Sequence, residues 1–298
     1  MDFSPIHDGR YSVAEGPVWD AHLGKLFWVD IISKTIHAFD PDSGEQQVWT
    51  SADFPTALAL AETGNRALVA LASGMAWLDF DTGTFTPFAD PDTMPGNRLN
   101  EGKCDPQGRF WTGSMQTNLN EDGSGCDMDR NSGALFRVDV DGATRCHTEH
   151  EFGISNTLAW SPDGQTFYFG DSIRNVIFSY DWNADEGAIS NRRVLLEGFE
   201  RGAPDGSAMD EDGCLWNARF GGSCLIRITP QGKIDQTVEL PVTNPTSCTF
   251  GGADRRTLFV TSAQFTLSKR QLADNPEEGA VLVAEASVTG VPDHRFGA

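Results

Sequence analysis

The chain has 298 residues, 39% of them hydrophobic, which is enough to bury a substantial core. Its 43 Asp and Glu residues against 22 Lys and Arg residues give a formal net charge of −21, which argues strongly against a nucleic-acid partner. No stretch approaches the roughly 18 apolar residues of a membrane span, and no signal peptide is recognisable, so we expect a cytoplasmic protein without membrane contact.

The 31 Gly and 15 Pro residues are spread along the whole chain, which indicates many turns and no domain boundary. We therefore expect residues 1–298 to form a single domain. The six cysteines show no CxxC and no zinc-finger spacing, so reduced thiols are expected rather than disulfides or a thiolate metal site.

In chain order, the sequence repeats one unit six times: a tight turn followed by a short strand of β-branched or aromatic residues. The turns are 20–24, 61–64, 105–108, 161–164, 210–213 and 252–255. The strands that follow them are 26–29, 67–70, 109–112, 166–169, 215–218 and 258–261. A second hairpin follows in most copies, at 39–44, 80–83, 138–142, 180–183 and 228–232. The sixth copy, with Arg255 in the glycine position, is the weakest.

Four short strands repeated every 41 to 56 residues, with no convincing amphipathic helix, are typical of β-propeller blades. The sequence therefore predicts an all-β fold, a six-bladed β-propeller. A β-sandwich or a long meander is the alternative, but neither requires the same local pattern six times. The late apolar run 279–285 is expected to pair near the N-terminal segment and close the ring, which hides a sheet edge.

One position in each unit carries a side-chain oxygen, eight residues before the turn glycine or nine in the first copy. These residues are Glu15, Thr56, Asn100, Asn156, Asp205 and Ser247. Equivalent positions on successive blades lie on a circle around the axis, so the six oxygens would surround one mouth of the central channel. Carboxylates and amide carbonyls suit a divalent ion, whereas Thr56 and Ser247 are expected to orient water or pack.

Taken singly, an Asp next to a Gly is usually a turn former, and only the shared register sets Asp205 apart. Other acids lie inside the hairpin turns and are interpreted as turn chemistry, namely Asp20, Asp105, Asp163, Asp210 and Asp212. The six histidines form no HxH or HExxH pattern, and no GxSxG motif is present.

At these residues the sequence resembles the gluconolactonase and regucalcin family, over nearly the whole chain. The resemblance is carried by 14–19 (AEGPVW), 97–111 (NRLNEGKCDPQGRFW), 154–161 (ISNTLAWS), 204–206 (PDG) and 246–252 (TSCTFGG). The family has a six-bladed propeller fold, in agreement with the number of repeats. The resemblance implies one divalent metal (Ca, Zn, Mn, Mg or Fe) at the channel mouth, held by Glu15, Asn156 and Asp205.

The resemblance also implies that Arg98 and Asn100 face a sugar-lactone substrate, with Glu101 and Asn118 as further substrate-binding candidates. Glu101 stands where the family usually has Asp, and Asn118 falls near the place where some members have a substrate-contacting Glu. The polar insertion 116–131 is either a lid or a solvated loop.

The function expected on these grounds is metal-dependent hydrolysis of an aldonolactone to the aldonic acid. The metal would polarise the lactone carbonyl or activate water, and Asp205 would be the acid/base group. Two alternatives remain: a calcium-binding regulatory propeller without catalysis, and a metal-dependent esterase or phosphotriesterase on the same scaffold.

Overall fold

Each of the six sequence units forms a four-stranded antiparallel sheet, and the sheets are arranged as the blades of a propeller. The computed structural model describes residues 1–297. Blade 1 contains β2 (Ala14–Asp20), β3 (Lys25–Asp30), β4 (Thr35–Phe39) and β5 (Gln46–Thr50). Blade 2 contains β6 (Pro55–Leu60), β7 (Arg66–Leu71), β8 (Gly74–Asp79) and β9 (Phe85–Ala89). Blade 3 contains β10 (Asn97–Cys104), β11 (Phe110–Gln116), β12 (Leu135–Val138) and β13 (Thr144–Cys146).

The remaining three blades complete the ring. Blade 4 contains β14 (Ser155–Trp160), β15 (Thr166–Asp171), β16 (Val176–Asn183) and β17 (Ala188–Glu197). Blade 5 contains β18 (Ala203–Met209), β19 (Leu215–Phe220), β20 (Cys224–Ile228) and β21 (Ile234–Glu239). Blade 6 combines β22 (Pro245–Gly251), β23 (Thr257–Ser262) and β24 (Leu282–Glu285) with the N-terminal strand β1 (Ser4–Pro5). The predicted six-bladed propeller is confirmed; residue 298 lies outside the described residues.

The ring is closed by pairing the two ends of the chain in one sheet. Ser4 lies opposite Val283 and Pro5 opposite Leu282, which confirms the sequence prediction for the run 279–285. The N-terminal segment thereby covers the outer edge of blade 6, an edge that would otherwise be open to pairing with another chain.

The turn that ends each first strand is satisfied locally, as the sequence indicates for its acidic residues. Asp105 accepts hydrogen bonds from the backbone N–H groups of Gln107 and Arg109 and from the Trp111 indole at 3.0 Å. Asp210 accepts from Cys214 and Trp216 in the same way. These buried carboxylates therefore fix turns and strand starts and are not part of a functional cluster.

After β24, residues 286–297 cross the face of the propeller that carries the turns between the first and second strands of the blades. We call this segment the strap. Its hydrogen-bond partners come from successive blades: Met209, Trp19, Asp20, Leu60 and Gly108. Phe296 is 3% exposed and packs edge-on against Trp77 and Phe88 of blade 2. The strap thus ties the blades together and blocks this end of the central channel.

The only helix in the described residues is α1 (Lys269–Asp274), a single exposed stretch that begins with a capping box at Ser268. The sequence predicts no helix at all, because this stretch has no apolar face for a periodicity to reveal. Across residues 1–297, no helix has the length and apolar character needed to cross a bilayer.

We expect Phe296→Ala to lower the free energy of unfolding by about 3 kcal/mol, because it leaves a cavity between two aromatic rings of blade 2. Urea denaturation of both proteins measures this difference. Leu23→Ala, at a residue 53% exposed, is the control and should change the stability by less than about 0.5 kcal/mol. A Phe296 variant as stable as the control would show that the strap does not contribute to stability.

Candidate functional site

A cavity of about 280 Å³ lies at the mouth of the channel opposite the strap, where the first strands of the blades begin. Six polar residues named by the sequence analysis line it: Glu15, Arg98, Asn100, Asn118, Asn156 and Asp205. The first strands of neighbouring blades contact one another around the axis, which brings these residues together from blades 1, 3, 4 and 5. The predicted ring of oxygen-bearing positions is therefore formed for these blades.

A β-bulge lies at this end of every first strand, and in blades 3, 5 and 6 the bulge contains a residue that lines the cavity. In β10 the ladder is interrupted between Leu99 and Gly102, which leaves Asn100 unpaired. In β18 the interruption falls between Pro204 and Ser207 and contains Asp205. An extra residue in one strand bends it and re-aims its side chains, and this is how a regular sheet presents polar groups at its end.

Two of the six predicted ring positions do not contribute to the cavity. Thr56 is buried and its hydroxyl donates to the Ala70 carbonyl oxygen at 3.4 Å, so it packs, as expected. In the sixth copy the count is off by one residue, because regular pairing continues through Ser247 and the bulge falls at Thr246. Thr246 lines the cavity, and its hydroxyl donates to the Ala14 carbonyl oxygen at 2.6 Å.

Glu15 and Asp205 form a close pair of buried carboxyl groups, 9% and 8% exposed, within hydrogen-bonding reach of each other. Burial and the nearby negative charge of Asp205 raise the pKa of Glu15 well above its ordinary value. Burial and the charge of Glu101 do the same to the pKa of Asp205. Two carboxylates without a cation between them repel each other, so the pair favours either a shared proton or a bound positive charge.

The side chain of Asn156 is held by hydrogen bonds at both its amide nitrogen and its amide oxygen. Its amide nitrogen donates to the Ser172 hydroxyl at 2.9 Å, and that hydroxyl donates to the Pro204 carbonyl oxygen at 2.6 Å. The Asn100 amide donates to Asn156 Oδ1 at 3.2 Å. Ser172 also lines the cavity and was not found in the sequence, since it lies in the turn after β15, where no repeat position marks it.

Arg98 is 7% exposed and bonds only to neutral oxygens. Its guanidinium donates to Asn118 Oδ1 at 2.9 Å, to Asn100 Oδ1 at 2.7 Å and to the Leu99 carbonyl oxygen at 2.9 Å. Burial lowers the pKa of Arg98 to about 10, so the side chain is charged at neutral pH. It is a fixed cation on the cavity wall.

Glu101, the fourth predicted substrate-binding residue, does not line the cavity. It is 4% exposed, and its carboxylate accepts from the backbone N–H of Gly102. The positive charge of Lys103 acts on it from the channel and offsets part of the increase in its pKa that burial causes. Lys103 in turn donates to the Ser207 carbonyl oxygen at 2.8 Å and lies 3.7 Å from Asp293 of the strap.

One side of the insertion 116–131 forms part of the cavity wall, and its other side faces solvent. Asn118 and Leu119 line the cavity, whereas Asn120 and Glu121 are exposed to solvent. Gly125 lies against the Phe265 ring, so the segment reaches from blade 3 toward the loop after β23. The segment therefore covers part of the mouth, at the position expected of a lid.

The rest of the wall is apolar, and no sequence pattern marked it. Its residues are Val13, Ile31, Ile32, Leu119, Ile154, Ile173, Ala203, Phe220 and Phe265. Within residues 1–297, no group of three or more His, Cys, Asp or Glu side chains is placed to hold a metal ion.

The chain belongs to the family described as SMP-30/Gluconolactonase/LRE-like region, which residues 13–264 match. It is 34% identical to the 6-deoxy-6-sulfogluconolactonase of Pseudomonas putida, over 95% of this chain and 94% of that protein. It is 32% identical to the L-arabinolactonase of Azospirillum brasilense, over 98% and 94%. Its fold is similar to the crystal structure of a calcium-binding protein, regucalcin, from Agrobacterium tumefaciens, with a TM-score of 0.90, 27% identity and coverage of 99% and 97%.

We expect Asp205→Asn to stabilise the protein in the presence of EDTA, because the new amide removes one of two like charges and donates to Glu15. The gain should be roughly 1 to 3 kcal/mol at neutral pH. Thermal unfolding of variant and wild type measures it, with Asp42→Asn, at an exposed acid, as control. A lower melting temperature for Asp205→Asn alone would contradict the repulsion inferred here.

Proposed function

We propose that the protein hydrolyses a sugar lactone to the corresponding aldonic acid. The observation that carries this proposal is the buried Glu15 and Asp205 pair, which opens on a cavity whose wall also presents the charged Arg98. The two carboxyl groups suit an electrophile and its attacking water, and the Arg98 guanidinium suits the oxygens of a polar substrate. Relatives named 6-deoxy-6-sulfogluconolactonase and L-arabinolactonase, aligned over nearly the full chain, support this reading.

The residues present fit a divalent metal ion. Two buried carboxylates repel each other and lack a cationic partner within hydrogen-bond distance, and Asn156, whose side chain Ser172 and Asn100 hold in place, lines the same cavity. We propose that Glu15, Asn156 and Asp205 hold the ion, with oxygen ligands that suit Ca, Mg or Mn and tolerate Zn or Fe. When bound, such an ion would polarise the lactone carbonyl and lower the pKa of water.

The protein side chains transfer the proton and hold the substrate. Asp205 accepts the proton of the water that attacks the carbonyl carbon, and it returns that proton to the ring oxygen when the carbon–oxygen bond of the lactone breaks. A carboxylate that also binds a cation is a weaker base, so Asp205 positions and relays the proton. Arg98 holds a substrate oxygen through charge-assisted hydrogen bonds, and Asn100 keeps both Arg98 and Asn156 in place.

One observation favours a second candidate, an esterase or phosphotriesterase. Nine apolar residues line the cavity, and these would accept an apolar alcohol or acyl group as readily as the C–H face of a sugar. Aryl esters and a phosphotriester assayed beside aldonolactones separate the two. Binding of calcium without turnover of any of these compounds would favour a regulatory propeller instead.

We expect Asp205→Asn to reduce lactone hydrolysis at least 10³-fold, because the relay carboxylate and one metal ligand are lost together. Acid release from D-glucono-1,5-lactone in a pH-stat measures the activity, and circular dichroism checks the fold. Treatment with EDTA should inactivate the wild type, and a single added divalent ion should restore it. Full activity of the variant, or of the stripped enzyme, would remove Asp205 or the metal from the mechanism.

We expect Ser172→Ala to weaken metal binding by roughly 10- to 100-fold, because the Asn156 amide loses the partner that fixes its orientation. Isothermal calorimetry with calcium measures the affinity directly. Ser262→Ala is the matched control, since its buried hydroxyl also donates to a carbonyl oxygen, that of Ala280, without lining the cavity. Equal losses in both variants would indicate general destabilisation.

A further inference from the structure

The wall formed by Arg98 and Asn118 offers hydrogen-bond donors and a positive charge that is not part of any ion pair. None of the ion pairs found within residues 1–297 includes Arg98. Its partners are two amide oxygens and one backbone carbonyl. Each of these acceptors is a neutral dipole that stabilises the guanidinium, and none of them carries a negative charge that would cancel the positive one.

The orientation of Asn118 adds to this polarity. Its Oδ1 accepts from both Nε and Nη2 of Arg98, at 3.3 and 2.9 Å. The amide oxygen is therefore turned toward Arg98, and the two N–H groups of Nδ2 have no acceptor within the described part of the chain. One N–H of Arg98 Nη2 also has no acceptor in this part of the chain, because only four of the five guanidinium donors form hydrogen bonds. A carboxylate at position 118 would instead cancel the charge and present acceptors.

The other charges near the cavity are balanced among themselves. Glu15 and Asp205 together match a divalent cation, and Glu101 lies under the influence of Lys103. The remaining wall consists of apolar residues and three neutral hydroxyl residues, Ser172, Thr246 and Thr266, and supplies no negative charge. With a divalent ion held by the two acids, the charge of Arg98 would remain on the cavity wall, and Arg98 lies one amide side chain away from Asn156.

From this arrangement we infer that the cavity selects lactones that carry an anionic substituent, with Asn118 as the specificity-determining residue. The class is an aldonolactone bearing a carboxylate, sulfonate or phosphate, whose oxygens accept from Arg98 Nη2 and Asn118 Nδ2. The sugar's C–H face packs against the apolar wall, and the lactone carbonyl faces Glu15, Asn156 and Asp205. This inference rests on the proposed lactonase function.

The test compares two substrates that differ only at C6, D-glucaro-1,4-lactone with a carboxylate and D-glucono-1,4-lactone with a hydroxymethyl group. We expect the wild type to favour the anionic lactone by about tenfold or more in kcat/KM. Asn118→Asp keeps the side-chain shape, pairs with Arg98 and should reduce this ratio by about tenfold. Asn120→Asp, at an exposed residue of the same segment, adds the same charge outside the cavity and should leave the ratio unchanged.

The possible results separate this inference from the function on which it rests. Hydrolysis of both lactones at similar kcat/KM, with a ratio that Asn118→Asp leaves unchanged, would overturn the selectivity and leave the lactonase proposal standing. Absence of hydrolysis of any lactone would refute the lactonase function. In that case, calorimetry with D-glucarate tests whether Arg98 and Asn118 bind an anion. We expect D-glucarate to bind more weakly to Asn118→Asp than to Asn120→Asp. If Asn118→Asp does not fold, Asn118→Glu replaces it in both measurements.

Discussion

The candidate site depends on holding Glu15 and Asp205 close together and out of water. Two buried carboxyl groups repel each other, and only a rigid frame can impose that separation without a cation. The frame is the ring of first strands, where bulges fix the backbone and the N–H of Gly16 donates to Glu15 Oε2 at 2.6 Å. Because blades 1 and 5 supply the two acids, the pair exists only when the ring is closed.

The closure of the ring is therefore linked to the chemistry at its centre. On the side away from the cavity, Lys103 reaches from blade 3 to the Ser207 carbonyl of blade 5 and to Asp293 of the strap. Asp293 also accepts from the Thr249 hydroxyl of blade 6 and from the Trp19 backbone of blade 1. This ion pair and its hydrogen bonds thus join four blades on the strap side of the channel. Its positive member faces Glu101, which limits the negative charge that accumulates in the channel.

The sequence was sufficient for the fold and for most of the ring of side chains, because turns and strand starts are local features. A glycine with positive φ, such as Gly108 or Gly213, marks a hairpin, and counting back from it reaches the bulge. The count missed Thr246, since the position of a bulge depends on the pairing of two strands. Ser172 and the apolar wall were missed for a related reason: their role depends on contacts between blades.

The polar side chains at the two ends of the first strands differ in how completely their hydrogen-bonding groups and charges are satisfied. At the turn end, Asp105 and Asp210 are surrounded by donors from their own turns and from an indole, so their charges are fully satisfied. At the cavity end, two acids face each other and Arg98 bonds only to neutral oxygens. Polar groups left incompletely satisfied in an otherwise consistent structure are the mark of a site whose missing partners are ligands. The same residue types that stabilise the turns at one end of the sheets are thus free, at the other, to bind an ion and a substrate.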